Sequence, residues 1–154
     1  MPTAGVVAVL AALSVSAVVV PLEGDVVRRF EAPACPYCPG HRGITVRAEP
    51  GEQVVAVADG PVVFAGPVGG DLYVVQAIGG GVRVTYGHVA RLVPGVEESV
   101  ELSAGHVVAI AGGAVHIGVR LGDVYLDPLV FFGWGRGRLV GPPGVLVGTD
   151  GLRR

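Results

Sequence analysis

The sequence predicts an all-β fold, a compact two-layered antiparallel domain of hairpins, and three observations predict it. The apolar runs are short and valine-rich, glycine and proline fall between these runs, and no stretch after residue 30 carries a helical period with caps. The chain is 51% hydrophobic, which argues against disorder even though its 26 Gly and 12 Pro approach a low-complexity composition. With 154 residues it holds one domain with a modest core.

The elements follow in order. Residues 4–22 are apolar apart from Ser14 and Ser16, and Val15-Ser16-Ala17 offers small residues to a signal peptidase. A run of about 19 residues is also long enough to span a bilayer, so residues 1–23 read as a signal peptide or membrane anchor. No Cys directly follows the run, which removes a lipoprotein anchor. Residues 24–39 read as a linker containing Pro33, Pro36 and Pro39, and residues 40–132 as the folded domain. Runs 54–57 and 62–64 flank Asp59-Gly60, a dipeptide suited to a tight hairpin turn; runs 72–78 and 82–88 flank Gly79-Gly80-Gly81 in the same way. Further strands are expected at 106–111, 115–121 and 124–126. Residues 133–154 read as a Gly- and Pro-rich tail, with one short strand expected near Val145.

A net charge of −2 leaves no electrostatic footprint for nucleic acid. All eleven basic residues are Arg, and Lys and Asn are both absent, a bias that points to a GC-rich genome rather than to guanidinium chemistry. Any membrane contact is confined to the N-terminal segment.

Candidate chemistry lies in histidines. His41 opens His41-Arg42-Gly43-Ile44-Thr45, His88 closes Tyr86-Gly87-His88, and His116 sits in Ala114-Val115-His116-Ile117-Gly118-Val119-Arg120, followed by Tyr125-Leu126-Asp127-Pro128. Strand alternation places Val115, Ile117 and Val119 on one face and Ala114, His116, Gly118 and Arg120 on the other, so His116 faces a cleft. His41 and Thr45 are an even number apart and aim at one cleft if the segment is extended. His88 shares a strand face with Val82, Val84 and Tyr86. His106 reads as structural.

This order resembles that of the lysostaphin/LytM-type zinc endopeptidases, which cut peptide cross-links in bacterial cell walls. The family pattern is H-x-x-x-D, a Tyr-x-His, then H-x-H and a late Asp-Pro, and the resemblance covers about residues 30 to 132. It implies a duplicated-hybrid-motif-like β core, His41 and His116 as zinc ligands, His88 as a proton-handling catalytic histidine, and a mostly structural Asp127-Pro128. Two positions depart from the pattern: Thr45 stands where the ligand Asp belongs, and Ala114 where a second catalytic His belongs. Catalytic zinc takes three protein donors and an open position, and a neutral hydroxyl replaces a carboxylate poorly. Zinc is therefore expected to bind weakly or not at all. Losing one positioned acid or base costs about 10²- to 10⁴-fold in rate, so the peptidase is expected to be impaired. The function implied is an exported envelope protein that binds peptidoglycan peptides or regulates a hydrolase; the alternative is an active zinc endopeptidase.

Cys35-Pro36-Tyr37-Cys38 leaves three readings open: a small disulfide loop, a Cys2His2 metal site with His41 and His116, or free thiols. Arg120 is a cleft candidate for a peptide carboxylate. An Asp-Gly-x-Val pattern from Asp59 also resembles biotinyl/lipoyl carrier domains, but those need a Lys to modify and this chain has none.

Overall fold

A computed structural model of the chain describes residues 18–134. It contains β1 (Val26–Arg28), β2 (Ile44–Arg47), β3 (Gln53–Val55), β4 (Gly60–Val68), β5 (Asp71–Ala77), β6 (Val82–Val89), β7 (Arg91–Leu92), β8 (Glu101–Leu102), β9 (Val107–Ile110), β10 (Ala114–Leu121), β11 (Val124–Leu126) and α1 (Pro128–Phe131). The strand pairings are antiparallel, and the expected all-β hairpin domain is what forms.

The large sheet runs β1-β2-β10-β6-β5-β4-β8, with β11 on β10; the small sheet runs β3-β9-β7. Strand β10 is the hub. One of its edges pairs with β6, while the other pairs with β2 along residues 114–117 and with β11 along 119–121. The inner face of the large sheet carries Ile44, Val46, Val74, Val84, Tyr86, Val115 and Ile117, all fully buried in one cluster with Val54 and Val108 of the small sheet. Alternation along each strand explains this division, since every second residue is apolar and turned inward.

Gln76 is the buried polar side chain among the described residues, and its groups are satisfied. Its Nε2 donates to the carbonyls of Ala58 (2.8 Å) and Gly60 (3.1 Å), while its Oε1 accepts from the Tyr86 hydroxyl at 2.7 Å. That hydroxyl in turn accepts from the Val57 N–H at 3.0 Å. Burial pushes the Tyr86 phenol pKa far up, so it stays a neutral donor.

The hairpin over Gly79-Gly80-Gly81 forms as expected between β5 and β6, with all three glycines at positive φ. Asp59-Gly60 does not close a hairpin. Strand β3 lies in the small sheet and β4 in the large one, so the dipeptide turns the corner between sheets. A Cβ on Gly60 would fall 1.9 Å from the Ala77 carbonyl oxygen, so glycine is needed for close approach as well as for its φ of 155°.

The domain also begins earlier than expected. Strand β1 lies inside the segment read as a linker and pairs with β2. Leu22, assigned to the apolar leader, is a core residue, and the Pro21 carbonyl accepts from Val55 N–H at 2.9 Å. The last of these satisfies the Val55 N–H, a backbone donor that β3 would otherwise leave unpaired. The rest of the apolar segment, the Val15-Ser16-Ala17 site and the strand near Val145 lie outside the described residues. Among the described residues no helix is long and apolar enough to cross a membrane. At the far end, Asp127 caps α1 by accepting from Leu129 N–H at 3.0 Å, with Pro128 in the first turn.

Candidate functional site

The outer face of the large sheet is built in rows. Register places Gly66, Tyr73, Gly87, His116 and Thr45 side by side across five strands. Two residues along, Phe64, Val75, Thr85 and Gly118 form a second row; two further, Ala77, Arg83, Arg120 and Tyr125 form a third. A groove of about 330 Å³ runs over these rows, lined by His116, Thr85, Arg83, Arg120, Phe64 and Tyr125 among others. His116 and Arg120 are therefore on one cleft.

At the histidine row the geometry is close. The rings of His41 and His116 lie 5.4 Å apart between centroids, and those of His88 and His116 lie 6.0 Å apart. His41 is held by a backbone bridge to Glu31, with both N–H to carbonyl distances at 2.9 Å. Its Nδ1 donates to the Arg29 carbonyl at 3.0 Å, and because a carbonyl only accepts, the proton sits on Nδ1. Its Nε2 is left as the acceptor and takes the Thr45 hydroxyl at 3.3 Å. Thr45 is thus bonded to His41 and is the cross-strand partner of His116.

His116 rests on two glycines. A Cβ on Gly43 would lie 2.7 Å from its Cε1 and 2.3 Å from the Ile117 carbonyl oxygen, and one on Gly118 would lie 3.4 Å from its Nε2. Burial, with smaller contributions from His41, His88 and Arg28, lowers its pKa to about 4. The ring is neutral at ordinary pH, the form that binds metal or accepts a proton.

His88 departs from the expected face. Regular alternation would put it inward with Val84 and Tyr86, but it is exposed. The β5–β6 register jumps from Leu72↔Val89 to Tyr73↔Gly87, which makes His88 the extra residue of a β-bulge at φ 58°. A bulge of this kind re-aims a side chain, here onto the face of His116. Its Nδ1 faces an Asp71 carboxylate oxygen at 3.3 Å and its Nε2 faces the Tyr73 hydroxyl at 3.1 Å. Neither partner was singled out from sequence. The nearby Gly69-Gly70 turn and the alternation of Arg83, Thr85 and Gly87 against Val84 and Tyr86 were the available signals for this face.

Ala114 lies two residues before His116 on the same face, exposed and opposite Arg47. Cys35 and Cys38 are joined in a disulfide, which removes both thiolates from any donor set in this state. Among the described residues no group of three or more His, Cys, Asp or Glu could hold a metal ion. Around His41 and His116 the hydrogen-bond partner is a neutral hydroxyl, Thr45, rather than a carboxylate, and a hydroxyl is a weaker zinc donor than a carboxylate.

Comparison with known proteins agrees with this architecture. Residues 39–128 match the pattern of Peptidase family M23. An uncharacterized protein of Mycobacterium tuberculosis is 37% identical over 114 residues, covering 68% of this chain and 46% of the relative, so the chain spans about half the length of the curated relatives it matches. Among solved structures, Helicobacter pylori Csd3 superposes with a TM-score of 0.68 at 18% identity, covering 84% of this chain and 36% of that one. The catalytic domain of lysostaphin, an antimicrobial peptidase from Staphylococcus simulans, gives 0.60 at 16% identity, covering 70% and 91%. A chain of the SpoIIQ–SpoIIIAH pore-forming complex gives 0.62 at 21% identity, covering 77% and 92%. These likenesses concern the fold, and the matched pattern, which spans more than half of the chain, establishes descent: the chain belongs to peptidase family M23.

Proposed function

We propose that this protein is an exported cell-envelope member of the family that keeps the groove and binds peptidoglycan peptides without cutting them. The observation that carries this reading is Thr45, whose hydroxyl sits 3.3 Å from the His41 Nε2 in place of a charged donor. Loss of even a partner behind a metal ligand costs about 10- to 100-fold in affinity, and loss of a ligand costs at least that. Ala114 removes a second imidazole from the same face. With the Cys pair closed in a disulfide, the thiolate route to a complete zinc site is not open either. The disulfide also favours an oxidising compartment, in line with export. Cleavage after Ala17 would leave intact the segment around Pro21 and Leu22 that the domain holds.

The test uses the full chain with purified sacculi. Sedimentation with sacculi, no peptide release and sub-stoichiometric zinc are expected. Chelator-sensitive release of cross-link peptides would replace this reading with an active zinc endopeptidase; capture of an envelope hydrolase without sacculus binding would replace it with a regulatory role.

A further inference from the structure

The third row of the groove face is cationic without a counter-charge. Arg83 and Arg120 are direct cross-strand partners, an arrangement of like charges that destabilises a sheet unless something offsets it. Arg120 and Arg42 approach the ring of Tyr125 at 6.0 and 5.6 Å from its centroid. Arg42 is fixed from behind, donating to the Pro36 carbonyl at 2.7 Å and the Cys38 carbonyl at 3.4 Å in the disulfide loop. Among the described residues the ion pairs are Arg47 with Asp25 and His88 with Asp71, so no carboxylate reaches any of these three guanidinium groups. All three line the groove that His116 also lines.

Between this row and the histidines lies an apolar floor. Phe64 and Val75 face the groove beside Gly118, which has no side chain to fill it. Arg120 lies four positions along the strand from His116, roughly 13 Å at the rise of an extended chain.

We propose that the groove holds the C-terminal carboxylate of a short peptide with small apolar side chains, clamped by Arg42, Arg83 and Arg120, with its backbone running over Phe64 and Val75 toward His116. Planar guanidinium forks match a carboxylate in two-point contact, and unpaired arginines in a concave site concentrate anions. The apolar floor selects a peptide end over a bare inorganic anion, and the 13 Å span matches about four extended residues. This rests on the reading of the domain as a peptide binder, and it identifies which end of the peptide is recognised.

The test measures affinity of the full chain for N-acetyl-tetra-alanine with a free carboxylate and for its C-terminal carboxamide. Amidation is expected to weaken binding at least tenfold, and Arg83→Gln with Arg120→Gln to abolish that discrimination. Because the acid-to-amide comparison uses the unmodified protein, misfolding of a variant cannot mimic the result. Equal affinity for the two peptides overturns the proposal, as does binding of inorganic phosphate with no binding of either peptide, or no binding at all. Sacculus sedimentation separates the two levels. Bound sacculi without carboxylate discrimination leave the proposed function standing and remove the clamp; carboxylate discrimination without sacculus binding does the reverse.

Discussion

The two ends of the histidine row are built in different ways. Around His88 the supporting structure is complete: a bulge, a left-handed backbone, a carboxylate on Nδ1 and a hydroxyl on Nε2. A non-glycine residue at positive φ is uncommon and costs on the order of 1 kcal/mol or more, so this orientation is held by its surroundings. Around His41 and His116 the side chain that meets the rings is a neutral hydroxyl, Thr45, 3.3 Å from the His41 Nε2, and among the described residues no carboxylate is paired there. Scaffold geometry depends on many contacts and resists loss, whereas a donor set can be emptied by one side chain.

Four measurements break or sharpen this contrast. The largest effect belongs to Gly43→Ala, whose Cβ would collide with the His116 ring and the Ile117 carbonyl. Overpacking of this kind costs roughly 3 kcal/mol, read as a lower urea midpoint with unchanged slope; tolerance of the change would show that the His41–His116 end is looser than its geometry.

Next comes pH. The His116 pKa is lowered from 6.5 to about 4 in the folded protein, so between those values the unfolded state binds more protons. The stability contributed by its neutral form is fully present above pH 6.5 and is lost as pH falls toward 4, by at most on the order of 3 kcal/mol. Denaturant titrations at pH 7 and pH 4.5 read this, and His116→Gln should flatten the dependence in that window; an unchanged profile would mean the ring is more solvated than its packing indicates.

Third, Thr45→Asp combined with Ala114→His should raise zinc affinity by at least about 10-fold, measured by calorimetry, with release of wall peptides as a second readout. No change in zinc binding would place the loss in the backbone rather than in two side chains. The smallest effect is expected at the other end, where Asp71→Asn removes a half-exposed partner of His88. Such a pair contributes less than about 1 kcal/mol, and a larger loss would show that Asp71 holds the bulge itself.

Much of this site was legible in the sequence, for a definite reason. The period-two alternation of residues 114–120 puts His116 and Arg120 on one face, and β10 is regular enough for that parity to hold. Parity fails at His88 because a bulge adds one residue, and nothing in Tyr86-Gly87-His88 announces it. Asp59-Gly60 misleads for another reason: a hairpin and a corner between sheets use the same turn chemistry, and only the pairing of β3 with β9 and of β4 with β5 distinguishes them. Leu22 was hidden in a longer apolar run that a leader would also display. Arg83 needed the register, since its pairing with Arg120 spans strands far apart in the chain, and Arg42 needed the tertiary contact with Tyr125.

The position of β10 has a kinetic consequence. Its pairing with β2 joins Thr45 to His116, and these lie about 70 positions apart, so the seam closes only after a long loop has been brought together. Contacts of such separation form late and slowly. The hairpin of β5 and β6 needs no such closure and can carry His88 early. The histidine row is therefore assembled from two pieces at different times, and until β10 docks, the exposed edge of β2 is open to pairing with another chain.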